Sequence, residues 1–459
     1  MPAVKKIRFV FVSLIFAICC VCSTQFTNGQ AVEPKGATWS TTEMRDTFRN
    51  WLDAMKEAIE EEYYDPKYHG IDLSARFNAA KTSLKGLNYD WQMIQVLQQI
   101  LLEFDDSHTY LVPPPRKDHF DYGFNTQIFG AECLITAVTK DSDADKAGLE
   151  IGDKVVKIED VEPDRDNLWK IFYMLYALAP ETLQLTVKKD AGPEKTVKLE
   201  AKVSSAKEYR EERKRQRAGQ KKEPVKCAEI SKEIIGCKLY TFEAEPADID
   251  KMMKTVAGHS KLVLDLRGNQ GGLVSTEQYL TGHFFDHDIK MLDIVGRKKT
   301  EPRIAKSKGA TAFNGELVVL VDSESASASE VFARVVQLEK RGKVIGDVSS
   351  GFVMTASPIA LFRSTERFGY KSKIYPLFMS MSIGNVVMSD GGRLEKKGVI
   401  PDIPIVPTGS ALKAELDPVL AVASAMLGYK LSPEDAGKMH FIKTTNDPFE
   451  AYASQSEAP

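Results

Sequence analysis

Cysteine is scarce in this chain, and what there is sits unevenly. Of the six cysteines in 459 residues, Cys19, Cys20 and Cys22 crowd the N-terminus, and only Cys133, Cys227 and Cys237 lie beyond it. Those three form no Cys-x-x-Cys pair, which argues against a metal site built on thiolates. Histidine is sparse too, at seven residues. His283 and His287 share an i, i+4 spacing but lack the His-Glu-x-x-His context of a metallopeptidase. No metal or organic cofactor is expected. An excess of charge of one sign is also missing: 61 Lys and Arg against 64 Asp and Glu leave a net charge of −3. That balance lacks the basic footprint of a nucleic-acid binder, so nucleic acid is not an expected partner. After residue 22 no apolar run is long enough to cross a membrane as a helix.

The N-terminus supplies the one targeting signature. Lys5, Lys6 and Arg8 precede an apolar stretch from Phe9 to Cys22 that is short for a membrane span, so residues 1–28 read as a secretory signal. An exported protein is expected, periplasmic or extracellular, touching a membrane only through an uncleaved or lipidated N-terminus. The residues before Cys19 fit a lipoprotein cleavage site poorly. In an oxidising compartment Cys227 and Cys237, which flank residues 228–236, either pair across a hairpin or stay as two partly buried thiols.

A hydrophobic content of 43% supplies ample core, and the length suggests two to four units. Residues 40–115 read as a helical subdomain. Met44, Phe48, Trp51, Leu52, Met55 and Ile59 recur at helix spacing with Ser40 or Thr41 as cap, and Trp91, Ile94, Leu97, Ile100 and Leu101 do so again. Asp106-Ser107-His108-Thr109 follows, ahead of the break at residues 113–115. Residues 120–203 are β-rich, with strand-like runs at 133–138, 154–158, 183–188 and 196–201 around a helical segment at 167–178. Residues 204–224 are dense in charge of both signs and read as a solvated helix or linker. From 225 to 428, strand-like runs at 239–242, 262–266, 317–321 and 344–345 alternate with helical ones at 247–256, 276–281 and 330–338, the pattern of an α/β core. Residues 429–459 read as a weakly structured tail.

The strongest chemical signal lies at Asp322 to Glu330. The apolar run 317–321 gives way to Ser323, Ser325, Ser327 and Ser329, and then to a helical pattern through Val331, Val335 and Leu338. A strand turning abruptly into a helix can hold a serine hydroxyl beside backbone N–H groups able to stabilise an oxyanion, although small polar residues also cap ordinary helices. Asp265-Leu266-Arg267-Gly268-Asn269-Gln270-Gly271-Gly272 follows another strand, and its glycines let the backbone approach a ligand closely.

Taken in order, that segment, Ser327-Ala328-Ser329-Glu330, the stretch Gly346 to Gly351 and Gly398-Val399-Ile400-Pro401-Asp402 resemble the tail-specific, or C-terminal processing, protease family. Within residues 120–203, Ala147-Gly148-Leu149-Glu150-Ile151-Gly152-Asp153 resembles a run typical of PDZ domains, which bind peptide C-termini by strand addition. The resemblance implies a crotonase-like α/β core with an inserted PDZ-like domain, and a serine endopeptidase acting on polypeptides engaged by their C-termini. It implies Ser327 as nucleophile, with the N–H of Ala328 and that of Gly271 or Gly272 as oxyanion donors. Tyr122-Gly123-Phe124-Asn125 would be the peptide-binding loop. The best-known branch uses a lysine base directly after the closing glycine of the Gly-x-x-x-x-Gly stretch. Phe352 stands there in this sequence and cannot accept a proton. The Asp-Ser-His-Thr motif resembles that of a tricorn-like branch, which implies His108 as base, Glu395 as the orienting acid and Ser107 as an assisting residue. The competing expectation is an inactive peptide-binding protein of the same fold. A third is a carrier of apolar ligands, as in relatives resembling retinoid-binding repeats.

Overall fold

A computed structural model describes residues 41–112, 118–190, 192–217, 223–361, 377–439 and 441. The expected signal segment, Ser40, the break at 113–115, His440 and the tail from 442 onward lie outside the described residues.

Apolar residues three and four apart make one helical stripe, and α1 (Thr41–Glu62) buries Phe48, Leu52, Met55 and Ile59 along it. Helix α2 (Leu73–Ser83) was not anticipated; its stripe of Leu73, Phe77 and Ala80 is narrow, and Asp72 caps it by accepting the Ala75 N–H. Helix α3 (Asp90–Leu102) begins its buried face at Met93. Trp91, expected on that face, is instead 43% exposed and stacked on Tyr89. The three helices share a core with Leu111 of β1 (Tyr110–Val112) and with Met379 and Met381.

The β-rich insert comes next. Strands β2 (Asp118–Asp121), β3 (Phe124–Phe129) and β4 (Glu132–Val138) lead to a short helix α4 (Asp143–Lys146) and β5 (Lys154–Ile158). Helix α5 (Leu168–Leu178), β6 (Thr182–Lys188), β7 (Glu194–Glu200) and β8 (Lys202–Ser205) complete it. The sheet runs β3-β4-β5-β6-β7, antiparallel throughout, with β3 at its edge. Strands β2 and β8 pair where the chain enters and leaves. The insert has its own core, including Ile135, Leu149, Leu185 and Phe172. The charged run begins as α6 (Ala206–Arg217), and residues 218–222 lie outside the described residues.

The remaining chain forms two sheets. Strands β9 (Val225–Glu229) and β10 (Ile234–Leu239) form a hairpin, followed by α7 (Pro246–Val256), β11 (Lys261–Asp265), α8 (Val274–Gly282), β12 (Ile289–Gly296) and β13 (Thr300–Ala305). Then come β14 (Glu316–Val321), α9 (Ala328–Leu338), β15 (Lys343–Gly346), β16 (Met354–Ala360), β17 (Phe378–Met388) and β18 (Ile403–Pro404). Three short helices close the described chain: α10 (Gly409–Lys413), α11 (Pro418–Met426) and α12 (Pro433–Lys438).

One sheet has the order β18-β15-β14-β11-β10-β9, parallel except at β9. Its central strands are continuous apolar runs because both faces are covered. Leu262, Leu264 and Val319 pack under α7, α8 and α9, while Val263, Val318 and Leu320 pack under α11 and α12. Ala436 and Phe441 are buried on that second face, which corrects the expectation of a loose tail from residue 429. The strand expected at 239–242 is β10, at 234–239. Its register is fixed by β9, where Cys227 lies opposite Cys237 and is disulfide-bonded to it, and past Leu239 the chain leaves the sheet. The other sheet, β1-β17-β12-β13 with β16 also on β17, is antiparallel and was not foreseen.

Candidate active site

Strand β14 ends at Val321, and the chain is helical again from Ala328. Ser327 occupies the N-cap of α9 with φ 54° and ψ −116°, a left-handed conformation that costs a side-chain-bearing residue about 1–3 kcal/mol. The neighbouring serines are committed. Ser325 Oγ donates to the Leu266 carbonyl, Ser329 Oγ to that of Asn269, and Ser323 Oγ to that of Ile128. Ser327 Oγ donates to no acceptor among the described residues.

The strained turn is held by a buried carboxylate. Glu330, in the first turn of α9, accepts the N–H of Ser327 (2.9 Å) and of Phe352 (2.9 Å) on Oε2, and the N–H of Gly351 (2.7 Å) and the Ser349 hydroxyl (2.7 Å) on Oε1. Burial raises its pKa to about 7 against these hydrogen bonds, which favour the anion.

The two-glycine turn lies against the serine. Gly271 has φ +99°, and a Cβ there would stand 2.8 Å from Ser327 Cβ and 3.1 Å from Ala328 N, so only glycine fits. Its N–H is already donated to Asn269 Oδ1 (2.9 Å). The Gly272 N–H has no acceptor among the described residues, nor does that of Ala328, which as first residue of α9 lacks an intrahelical partner. Of the two glycines proposed as oxyanion donors, the structure leaves Gly272 free and Gly271 occupied.

The Asp-Ser-His-Thr motif turns between α3 and β1. Asp106 is buried and accepts from Tyr63 Oη (2.7 Å), Thr109 Oγ1 (2.9 Å), Ser382 Oγ (2.8 Å) and the His108 N–H (3.0 Å), which pins the loop to the helical subdomain and to β17. Ser107 Oγ donates to Glu395 Oε2 (2.9 Å) and lies 2.7 Å from His108 Nδ1. With the hydroxyl proton directed at Glu395, Nδ1 carries the imidazole proton and donates to Ser107, which leaves Nε2 as a lone-pair acceptor. Glu395 also accepts the N–H of Ser107 (2.8 Å) and of Val353 (2.9 Å). Burial holds the His108 pKa below its ordinary value, with the Asp106 charge opposing, and raises that of Glu395.

Ser107, His108 and Glu395 are thus brought together across almost three hundred residues of chain. No hydrogen bond joins His108 to Ser327 among the described residues. The two halves are linked by one peptide: the Phe352 carbonyl accepts the Ser327 N–H (3.1 Å), and the next N–H, of Val353, goes to Glu395. The Phe352 side chain meets Trp169 of α5 edge-on, with ring centroids 5.9 Å apart. Lys170 of the same helix reaches Asp105 (2.9 Å), which also pairs with Lys396. In the Tyr122–Asn125 loop, Tyr122 Oη donates to the Pro180 carbonyl, the Gly123 N–H donates to Asp121 Oδ1, and Phe124 and Asn125 open edge strand β3. The other described histidines have separate roles: His69 joins Tyr64 and Phe104, His119 stacks on Tyr209, His259 meets the Thr255 carbonyl, His283 packs on Tyr279 and His287 pairs with Asp286. Sequence reasoning did not single out Glu330 or Asp106 for a role. A carboxylate in each motif was visible, but not the hydroxyl and backbone donors it collects.

Residues 235–405, from β10 to β18, match the profile described as Peptidase family S41. A probable CtpA-like serine protease of Staphylococcus haemolyticus is 26% identical over 294 residues, covering 63% of this chain and 53% of that protein. The carboxy-terminal processing protease CtpA of Bacillus subtilis is 22% identical over 331 residues, covering 67% of this chain and 62% of that protein. The chain thus spans about half the length of the first curated relatives it matches. Among solved structures, mature CPAF superposes with a TM-score of 0.61 at 11% identity over 85% of this chain and all of that one. A photosystem II D1 C-terminal processing protease does so at 0.52 and 18%, over 84% of this chain and 99% of that one. These likenesses bear on the fold. Residues 235–405, which include Ser327, Gly272 and Glu395, are thus similar to peptidases of family S41, and Ser107 and His108 lie outside the matched span.

Proposed function

We propose that the protein is an exported serine endopeptidase of the C-terminal processing type, working through Ser327, His108, Ser107 and Glu395. The observation that carries this reading is the relay from Glu395 through Ser107 to His108 Nδ1. It leaves Nε2 free to take a proton, in a chain whose Ser327 hydroxyl donates to no acceptor among the described residues. In the acylation step Ser327 Oγ attacks the scissile carbonyl and its proton passes to His108 Nε2. The oxyanion is met by the N–H groups of Ala328 and Gly272, and the imidazolium is stabilised through Ser107 by Glu395. The imidazolium then protonates the leaving amine, and water, deprotonated by the same nitrogen, hydrolyses the acyl-enzyme. Edge strand β3, with the Tyr122–Asn125 loop at its start, supports a PDZ-like role for the insert: an extended polypeptide C-terminus would add to it as a further strand.

The test is fluorophosphonate labelling and hydrolysis of an unfolded protein by the wild type, Ser327→Ala and His108→Ala. Loss of both signals in Ser327→Ala, with at least a 1,000-fold fall in rate in His108→Ala, is expected for a nucleophile and its base. Hydrolysis that survives His108→Ala would assign the base elsewhere. Phe352 at the lysine position of the Ser-Lys branch favours a second reading, an inactive peptide-binding protein, and a folded wild type that neither labels nor cleaves would speak for it.

A further inference from the structure

We propose that Glu330 is a positioning residue for this chemistry: its carboxylate clamps the Ser327 turn to the Gly351–Phe352 peptide, so that nucleophile and relay are held in one fixed relation. The inference rests on reading Ser327 as nucleophile and His108 as base.

The geometry is that of a single strut. Glu330 sits in the first turn of the helix that Ser327 caps, and its two oxygens accept four hydrogen bonds. One comes from the N–H of Ser327 itself, and two come from Gly351 and Phe352 on the facing turn. The following N–H, that of Val353, is a ligand of Glu395. The clamp therefore reaches from nucleophile to orienting acid through one stretch of backbone, with no side chain of the relay in between. Phe352, at the position that carries the base in the Ser-Lys branch, contributes here through its backbone: its N–H donates to Glu330 and its carbonyl accepts the Ser327 N–H.

Four donors fill the acceptor capacity of an ionised carboxylate. A proton on either oxygen, or an amide NH2 in its place, would face a donor instead of an acceptor and force the turns apart. The clamp is thus intact only as the anion, and the enclosed site sets that ionisation by burial against hydrogen bonds. The ionisable side chains on the elements packed around it are Asp322 and Glu324 on the nucleophile turn, Asp347 on the facing turn, Glu395 and Lys396 beside it, and Arg334 one turn along α9. His108 lies beyond Glu395. Arg334 is engaged with Asp390, Asp347 with Arg165 and Lys396 with Asp105.

Two protonations then turn the enzyme off in acid, one on His108 and one on Glu330, so the limiting slope of log kcat against pH should be about two. In Glu330→Gln we expect kcat to fall by about 100-fold, as for a reacting group displaced by about an ångström, with KM within about twofold. The slope should fall to about one. Wild-type kcat in Glu330→Gln overturns the proposal, and so does a reduced kcat that keeps the two-proton slope, since that is what a purely structural residue would give. If Glu330→Gln does not fold, Ser349→Ala removes one donor and should move the upper break of the acid limb to higher pH. An unmoved limb in folded Ser349→Ala overturns the proposal. Ser327→Ala and His108→Ala, measured alongside, separate the two failures. Inactive Ser327→Ala and His108→Ala with an unaffected Glu330→Gln defeats the clamp alone, and cleavage surviving in Ser327→Ala defeats the reading beneath it as well.

Discussion

Glu277 of α8 is 2% exposed, and the hydroxyl of Thr281 is its hydrogen-bond donor at 3.0 Å. Burial pushes its carboxyl up to about 8 with little to offset it, unlike Glu330, which collects four donors in a similarly enclosed place. The sign of the linkage follows. In the unfolded chain the group titrates near 4.3, so between that value and about 8 the unfolded state sheds a proton that the folded state keeps. The stability it contributes is fully present below the unfolded value and is lost as pH rises through the folded one. The loss is of order 3–5 kcal/mol at 1.36 kcal/mol per unit. Glu277→Gln keeps the shape and removes the titration. Urea midpoints at pH 5 and pH 8.5 should show the variant gaining on the wild type at the higher pH by that order. Parallel behaviour of the two proteins would mean that the carboxyl is ionised in the fold.

Among the elements, the β9–β10 hairpin carries the disulfide, with Cys227 facing Cys237 across an antiparallel pair ten residues apart in sequence. A loop this short restricts the unfolded chain by roughly 2–3 kcal/mol. Reduction, or Cys227→Ala with Cys237→Ala, should lower the unfolding free energy by about that amount while leaving fluorophosphonate labelling of Ser327 in place. A loss of labelling at full folding would instead tie β10 to the site. The residues that made this hairpin visible were two cysteines flanking a short segment, and the same kind of cue served elsewhere. Continuous apolar runs marked β11 and β14, and the periodicity of α1, α3 and α5 survived with small shifts at their ends. The antiparallel sheet was not legible, because β13 alternates Glu301, Arg303 and exposed Ile304 like a solvated segment, and β16 contains Pro358. Each pairs with its neighbour in the chain, β13 with β12 and β16 with β17, but the contact that makes one sheet of them is β12 on β17, which come from opposite sides of β14, α9 and β15. The motifs at Ser327, His108 and Glu395 could be read along the chain. Ser107 as the assisting residue came from the resemblance, whereas the capture of the Gly271 N–H by Asn269 depends on side-chain directions that spacing does not encode.

For the molecule as a whole, the decisive contact is between insert and core. Arg165, just ahead of α5, donates to the Gly130 carbonyl (2.9 Å) within the insert, and to the Val348 carbonyl (2.8 Å) and Asp347 Oδ2 on the core. Asp347 Oδ2 also accepts the Gly130 N–H (2.7 Å), and Gln127 of β3 donates to Asp322 (3.0 Å). The turn held in this way continues directly into Ser349, Gly351 and Phe352, three of the four donors to Glu330. Asp347 is 5% exposed, so removing its cationic partner leaves a largely desolvated carboxylate, which costs about 2–3 kcal/mol. Arg165→Ala should therefore lower the urea midpoint and open the insert boundary at the paired strands β2 and β8 to limited proteolysis. It should also slow fluorophosphonate labelling of Ser327, although Arg165 makes no contact with that residue. Arg165→Lys keeps the charge but not the planar fork, and should recover only part of the loss. If Arg165→Ala loosens the insert yet labels at the wild-type rate, the core arranges its serine without help from the insert, and the turn from Asp347 to Phe352 is held by Glu330 and the other core hydrogen bonds.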